Sequence, residues 1–432
     1  MRPGKRGGAP RIERGSMPKG FYRLIAAQFF SALADNALLI VAIALLEARG
    51  LAGWWAPLLK FSLVAFYVLL APAIGPLADA FPKARVMAAM NALKVAGVWA
   101  MLAGMHPVGA FAIIGFAAAA YAPAKYGLVT EMVPPRNLVA ANSWIEVTAV
   151  GAVLLGTLIG GFLVSGTVRA ADVSLRAALG LETSSPLVVS QALVLSIYAL
   201  ATLLNIGIVS PHAGYGRGPI SPLALARDFL RANRVLWRDR EGGLSLAVTT
   251  LFWGTGATLQ FAVLRWAVDV LGLPLHRAAY LQAIAAVGLV VGASAAGRCI
   301  SIDAARRVLP AGVLLGALAL VVPLIDSVAL AALLLVLVGI VSGVFVVPMN
   351  ALLQQRGYEV LTPGRSIAVQ GFNENLSVLA MLAVYAVLLK IEVPITAVMC
   401  GLGGMLIVTM GALLARERAT RAEPPGGVRA RS

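Results

Sequence analysis

The chain has 432 residues, is 60% hydrophobic and only 12% charged, and carries a formal net charge of +16. Its mean hydropathy of +0.87 lies outside the range of soluble domains and describes an all-α protein that crosses a membrane many times. The charge does not signal nucleic acid as a partner, because the Lys and Arg residues fall in short loops and tails between apolar runs, where they set topology.

Residues 1–20 are read as a basic cytosolic tail that includes Arg2, Lys5 and Arg6. The apolar run at 21–46 exceeds the ~20 residues a span needs. Ala32-Leu33-Ala34 imitates a signal-peptide cleavage site, but the run continues past it, so an uncleaved first span is expected. In the middle of this span stand Asp35 and Asn36. A charge at that depth costs on the order of 2.5–3.5 kcal/mol, and such residues are functional by default. The pair is therefore expected to line a transport pathway. The plainer alternative is an Asp satisfied by a neighbouring helix for packing alone.

Eleven further spans are expected near 54–78, 86–105, 109–132, 138–165, 187–210, 244–268, 278–300, 308–325, 328–350, 366–389 and 393–415. The turn after the second reads Gly75-Pro76-Leu77-Ala78-Asp79-Ala80-Phe81-Pro82-Lys83-Ala84-Arg85. It resembles the G-x-L-a-D-r-x-G-r-k signature of the major facilitator superfamily, with Pro82 where the usual Gly would stand. The resemblance implies a conformational latch made by Gly75, Asp79, Lys83 and Arg85. Asp79 is expected to pair with a cation such as Arg85 and to face a positive helix N-terminus across the interface. The corresponding stretch from Gly292 to Arg307 is degenerate.

Two stretches repeat between the halves. Asn142-Ser143-Trp144-Ile145-Glu146 resembles Gln370-Gly371-Phe372-Asn373-Glu374, and Pro123-Ala124-Lys125-Tyr126-Gly127-Leu128 corresponds to Pro348-Met349-Asn350-Ala351-Leu352-Leu353. Parallel six-span repeats with a site between them are the architecture of the major facilitator superfamily. The fold expected is thus about 12 transmembrane helices in two six-helix pseudo-symmetric halves, 21–210 and 244–415. Residues 211–243 join them as a cytosolic linker whose Leu, Phe and Trp residues alternate with Arg at helical spacing, an amphipathic helix on the membrane face. Residues 416–432 form a second basic tail.

Five further charges lie within spans: Lys94, Lys125, Glu146, Arg265 and Glu374. Lys60 is near an outer end and can snorkel. Lys125 and Glu146 fit either a transport pathway or a simple ion pair. Glu374 corresponds to Glu146, but the position corresponding to Lys125 carries Asn350, so Glu374 is expected to meet substrate or Arg265. Lys94 is the least informative. Mixed charge with few aromatics suits a zwitterionic or anionic ligand, a carboxylate for an amine and a lysine or arginine for a phosphate. Cys299 and Cys400 form no disulfide or metal pattern, and there is no HExxH, P-loop or GxSxG motif. Gly401-Leu402-Gly403-Gly404 inside a span reads as a close-packing site. No metal, cofactor or catalysis is expected.

Ala27-Gln28-Phe29-Phe30-Ser31-Ala32-Leu33-Ala34-Asp35-Asn36-Ala37-Leu38-Leu39 resembles the first span of the bacterial lysophospholipid transporter family. Ala120 to Gly127, Leu251-Phe252-Trp253-Gly254, Val346 to Gln354 and Ile367-Ala368-Val369-Gln370 are also similar to it. The resemblance implies inward movement of lysophospholipids, such as 2-acylglycerophosphoethanolamine, across the bacterial inner membrane. It implies a cytosolic acyltransferase/acyl-carrier-protein synthetase as the functional partner that restores the missing chain. It implies Asp35, Asn36 and Lys125 for headgroup contact, with Glu146 and Glu374 nearby; by charge, Asp35 is then expected to meet the ethanolamine ammonium and Lys125 the phosphodiester. A basic residue of the family is replaced by Gln260, with Arg265 the nearest cation, and the outer loop 166–186 is longer than the family's. The alternative is a proton-coupled drug antiporter of the same fold, with Asp35 or Glu374 carrying the proton. A non-transporting sensor or scaffold is disfavoured by charges placed in both halves.

With both termini inside, inner segments hold about 26 of the 35 basic residues and outer loops about five. A cysteine replacing Pro107 should therefore react with an impermeant thiol reagent from outside the cell, and one replacing Pro222 should not. The reverse labelling would overturn an N-in/C-in orientation.

Overall fold

The computed structural model describes residues 17–50, 55–179, 187–209, 221–273 and 275–422. Most of the N-terminal tail, residues 180–186 of the outer loop, the first part of the linker and the last ten residues lie outside the described residues. Within them, every regular element is a helix. In order these are α1 (Lys19–Ala48), α2 (Trp55–Leu69), α3 (Ala71–Ala80), α4 (Lys83–Leu102), α5 (Pro107–Met132), α6 (Leu138–Leu163), α7 (Gly166–Leu179) and α8 (Val188–Ile206). Then follow α9 (Pro222–Arg238), α10 (Arg240–Asp269), α11 (Leu275–Cys299), α12 (Leu309–Val321), α13 (Val328–Val360), α14 (Pro363–Lys390) and α15 (Ile395–Ala422).

Helices dominate because lipid offers the backbone no hydrogen bonds, so each span must satisfy its own. Among the described residues eleven helical segments are long and apolar enough to cross a membrane. The twelfth place is taken by α2 and α3 together. Pro72 has no N–H to donate and interrupts the ladder. Leu70 bridges the break, its carbonyl accepting from Ala73 N at 2.8 Å and Ile74 N at 3.0 Å. Three other prolines, Pro76, Pro123 and Pro348, lie inside helices. The last two are the prolines of the repeated stretch.

The end of the bundle where α1 begins and α15 stops is called basal, and the opposite end apical. Helix α1 packs on α6 and α8, α4 on α5 and α8, and α2 on α5; α10 packs on α13, α14 and α15, α11 on α13, and α12 on α15. The two sets meet where α3 and α5 touch α14, and where α6 touches α11 and α13. The apolar core follows this division. At the basal end one buried cluster joins both sets, from Phe21, Leu24 and Val139 to Phe252, Phe345 and Met349. Toward the apical end each set has a cluster of its own, around Leu38, Phe111 and Tyr198 in one and around Trp266, Leu281 and Met399 in the other.

The tightest internal seam is α11 on α13. Gly288 and Gly292 sit against the carbonyls of Val336 and Ile340, and Gly339 and Gly343 sit against the backbone of α11, so a Cβ at any of the four would collide with main chain. Two interlocked G-x-x-x-G stripes let these helices approach where lipid supplies no hydrophobic force to drive them together.

Several helices run past the expected apolar limits at the basal end: α10 starts at Arg240, α13 reaches Val360 and α15 reaches Ala422. Ion pairs support these extensions. Arg306 lies 3.1 Å from Glu417 and 3.2 Å from Glu241, and Arg356 lies 2.7 Å from Asp239. Burial acts to raise the Asp239 carboxyl, but hydrogen bonds from Arg356 and from the Gly242 N–H outweigh it and hold the group below the ordinary carboxylate range. The outer loop contains the amphipathic α7, whose Asp172 accepts the Val189 N–H of α8 at 2.8 Å.

Candidate functional site at the contact between the two helix sets

The signature stretch lies at the end of α3. Thr362 precedes α14 and Pro363 opens it, so the first amides without a helical partner are those of Gly364 and Arg365. Asp79 accepts both, Gly364 N at 2.9 Å and Arg365 N at 3.2 Å, together with the Thr362 hydroxyl. A carboxylate from one helix set thus caps a helix of the other, where the helix dipole favours negative charge. The approach requires two glycines. A Cβ on Gly75 would press on the Gly364 carbonyl and the Arg365 Cα, and one on Gly364 would strike the Gly75 carbonyl and Asp79. The cation beside Asp79 is Lys83, one turn on at 3.3 Å, which also pairs with Glu131 at 2.7 Å. The expectation of Arg85 in this place is corrected: Arg85 is exposed, because α4 begins at Lys83 and turns the two side chains to different faces. A second polar clasp crosses nearby, where the Asn142 and Gln354 side-chain amides exchange two hydrogen bonds of 2.9 Å.

Above these contacts lies a cavity of about 360 Å³ between the two sets. Lys125, Tyr126 and Tyr67 border it from α5 and α2; Trp253, Asn350, Gln370, Glu374 and Asn375 border it from α10, α13 and α14. Lys125 holds its ammonium 4.1 Å from the centre of the Tyr126 ring and has no ion pair within 4 Å among the described residues. The Gln370 amide donates to Asn350 Oδ1 at 3.2 Å and to Glu374 Oε1 at 2.9 Å, fixing the carboxylate toward the cavity. Of the residues singled out in the sequence, Lys125, Asn350 and Glu374 are brought together.

The others are not. Asp35 is held by Lys94, both carboxylate oxygens lying 2.8 Å from the ammonium, and by the Tyr198 hydroxyl at 2.6 Å. Lys94 also donates to Ser31 at 3.0 Å and lies between the rings of Tyr121 and Tyr198. Lys94, the least informative of the charges in the sequence, is therefore the partner of Asp35. Asn36 donates to the Ala32 carbonyl of its own helix at 2.8 Å. Glu146 is half-buried on α6 and does not border the cavity. Arg265 pairs with Asp269 at 2.8 Å on an exposed stretch near the apical end of α10, so neither Asp35 nor Glu374 has it as a partner. Sequence reading missed Tyr67, Trp253, Tyr198, Gln354 and Gln370 as site residues. Gln370 carried a signal as the amide that opens the repeated stretch, and Trp253 and Gln354 lay in stretches similar to the family, whereas Tyr67 and Tyr198 carried none.

Residues 24–362 match the Major Facilitator Superfamily. Over 383 residues, 88% of this chain and 90% of theirs, the chain is 39% identical to the lysophospholipid transporter LplT of Yersinia pestis (strain Pestoides F) and of Yersinia pseudotuberculosis serotype IB (strain PB1/+). The chain belongs to the LplT family of the major facilitator superfamily. Solved structures agree on the fold. The human organic anion transporter MFSD10 (TETRAN) superposes with a TM-score of 0.70 at 16% identity, covering 92% of this chain and 100% of that one. The Escherichia coli fucose:proton symporter FucP gives 0.70 at 15% identity, covering 94% and 98%. Family membership and the membrane-spanning helices make this a multi-pass protein of the bacterial inner membrane.

Two predictions follow from this geometry. Removing the Asp79 carboxylate deletes charge-assisted hydrogen bonds worth ~1.5–3 kcal/mol, and ~1.4 kcal/mol is a factor of ten. In a background without native cysteines, Asp79→Ala should speed labelling of Ala122→Cys from the basal side by about tenfold or more. Unchanged labelling would show that the α3–α14 contact is not the barrier. The second concerns the Asp35–Lys94 pair. The lysine is buried and the carboxylate keeps 29% of its side-chain surface, so Lys94→Met should destabilise by up to about 3 kcal/mol. Adding Asp35→Asn should recover most of the lost thermal stability in detergent. Equal losses in the single and double variants would show that the pair is not coupled.

Proposed function

We propose that this chain is a lysophospholipid transporter, and that its cavity receives the lipid headgroup. The observation that carries the reading is the placement of Lys125 and Glu374, opposite charges from the two helix sets, on one cavity with aromatic and amide neighbours. The identity to LplT proteins supports the substrate class. The volume of about 360 Å³ is at the small end of ligand sites, about 300–1,000 Å³. It suits a headgroup, with the acyl chain left toward lipid. Lys125 takes the phosphodiester and Glu374 the ammonium. This reassigns the ammonium contact from Asp35, whose carboxylate already has Lys94 and Tyr198.

The two halves, 21–210 and 244–415, rock about the cavity, with 211–243 as the cytosolic linker and both termini in the cytosol. The Asp79 contact, with Gly75 and Lys83, latches the basal end, which is the cytosolic one. Lipid enters from the outer leaflet and leaves to the inner. The chain performs no chemistry on it, and re-acylation belongs to a cytosolic acyltransferase/acyl-carrier-protein synthetase.

Uptake of labelled lysolipids into spheroplasts tests the assignment. Glu374→Gln removes one charge-assisted contact of ~1.5–3 kcal/mol, so uptake of lysophosphatidylethanolamine should fall about tenfold or more. Lysophosphatidylglycerol has no ammonium and should fall less. Lys125→Gln should reduce both, because both carry the phosphodiester. A well-expressed Glu374→Gln variant that lost both lipids equally, with wild-type uptake abolished by an ionophore, would point to proton carriage instead.

A further inference from the structure

The linker helix α9 has two faces with different surroundings. Phe229, Ala232 and Leu236 are buried, in a cluster with Ala71 of α3, Leu246 of α10 and Val369 of α14. Phe229 packs edge-on against Phe372 at 5.1 Å between ring centres. Polar ties fasten the helix to α14: Asp228 to Arg365 at 3.1 Å, Asn233 to Asn373 at 2.9 Å, and the Trp237 indole N–H to Asn373 at 3.2 Å. Because α9 touches α3 as well as α14, it lies across the seam that Asp79 closes.

The opposite face carries Arg227, Arg231, Arg234 and Arg238, all exposed. At 3.6 residues per turn these four fall within about 60° of arc, directly away from the buried stripe. Beside them runs a second exposed stripe, Leu223, Leu230 and Trp237, two turns apart at each step. The one acidic residue of the helix, Asp228, points inward to Arg365. The outer face therefore presents cations and apolar side chains and no acid.

We infer that the outer face of α9 binds the anionic phospholipid headgroups of the surrounding leaflet, and that this contact holds α9 as a strap across the α3–α14 seam. A row of arginines attracts anionic lipid whether it lies in or above the headgroup layer. The Leu–Trp stripe decides the partner. Large apolar side chains beside arginines suit insertion at the acyl boundary, and an indole with its N–H already bonded can turn its ring to lipid. The helix also lies against membrane spans, which places it at that layer. An acidic soluble protein would match the arginines but not the three apolar residues.

The experiment uses the full-length protein in phosphatidylcholine vesicles containing a minor fraction of brominated phosphatidylglycerol or, separately, brominated phosphatidylcholine. Quenching of Trp237 is isolated by difference from Trp237→Phe. Brominated phosphatidylglycerol should quench it about threefold more strongly, and raised salt should remove the excess. The excess should vanish when all four arginines become Gln and persist when all four become Lys. The Gln variant should also lose any dependence of basal labelling at Ala122→Cys on phosphatidylglycerol, whereas the parent protein should label more slowly when that lipid is present. Equal quenching by the two lipids, or an excess that survives salt or the Gln variant, would overturn lipid binding. A salt-sensitive excess with labelling indifferent to phosphatidylglycerol would overturn the strap. The salt arm uses unaltered arginines, so it stands even if a variant misfolds.

Discussion

A charge inside a bilayer has to be paired, hydrogen-bonded or wetted, and the structure meets this constraint in three ways. Asp35 and Lys94 satisfy each other within one helix set, with Tyr198 and Ser31 completing the shell. Asp79 is satisfied across the two sets, by the amides that open α14. Lys125 and Glu374 instead face a cavity. The first arrangement stabilises one body, the second joins two, and the third leaves charge available to something that enters. The proposed headgroup site follows from that contrast.

The same division runs through the apolar core and the contacts around it. The core is continuous at the basal end and separate in each half toward the apical end. What holds the basal end includes a capping carboxylate, an amide pair and two glycine contacts. Each is short-ranged and depends on position, so a small rotation of one half removes them together. The internal seams are of a different kind. The G-x-x-x-G stripes of α11 and α13 bury backbone against backbone, a contact that ties those two helices into one rigid unit.

Much of this was legible in the sequence, for identifiable reasons. The spans show because lipid demands long apolar helices, and Asp79 shows because its surroundings form a recognisable turn. The repeated stretch located Lys125, Asn350 and Glu374, three residues that do share the cavity. The partners of the charges were not legible. Apolar residues surround α1, α5 and α13 almost evenly, so no periodicity reveals which way Asp35 or Lys125 points. Lys94 therefore looked uninformative although it is 2.8 Å from Asp35. Arg265 looked like a possible partner, but its own Asp269, one turn away, was the simpler solution. Arg85 lost its expected place to Lys83 because the start of α4 sets their directions.

The central claim is that the headgroup enters the cavity between Lys125 and Glu374. It is tested most directly with lysophosphatidylethanolamine carrying a photoactivatable group on its amine end, crosslinked to the protein in membranes and mapped by mass spectrometry. The account predicts adducts on the segments around Lys125 and Glu374, displaced by unlabelled lipid and lost in Glu374→Gln. Competable adducts confined to the segments around Asp35, Lys94 and Tyr198 would contradict it.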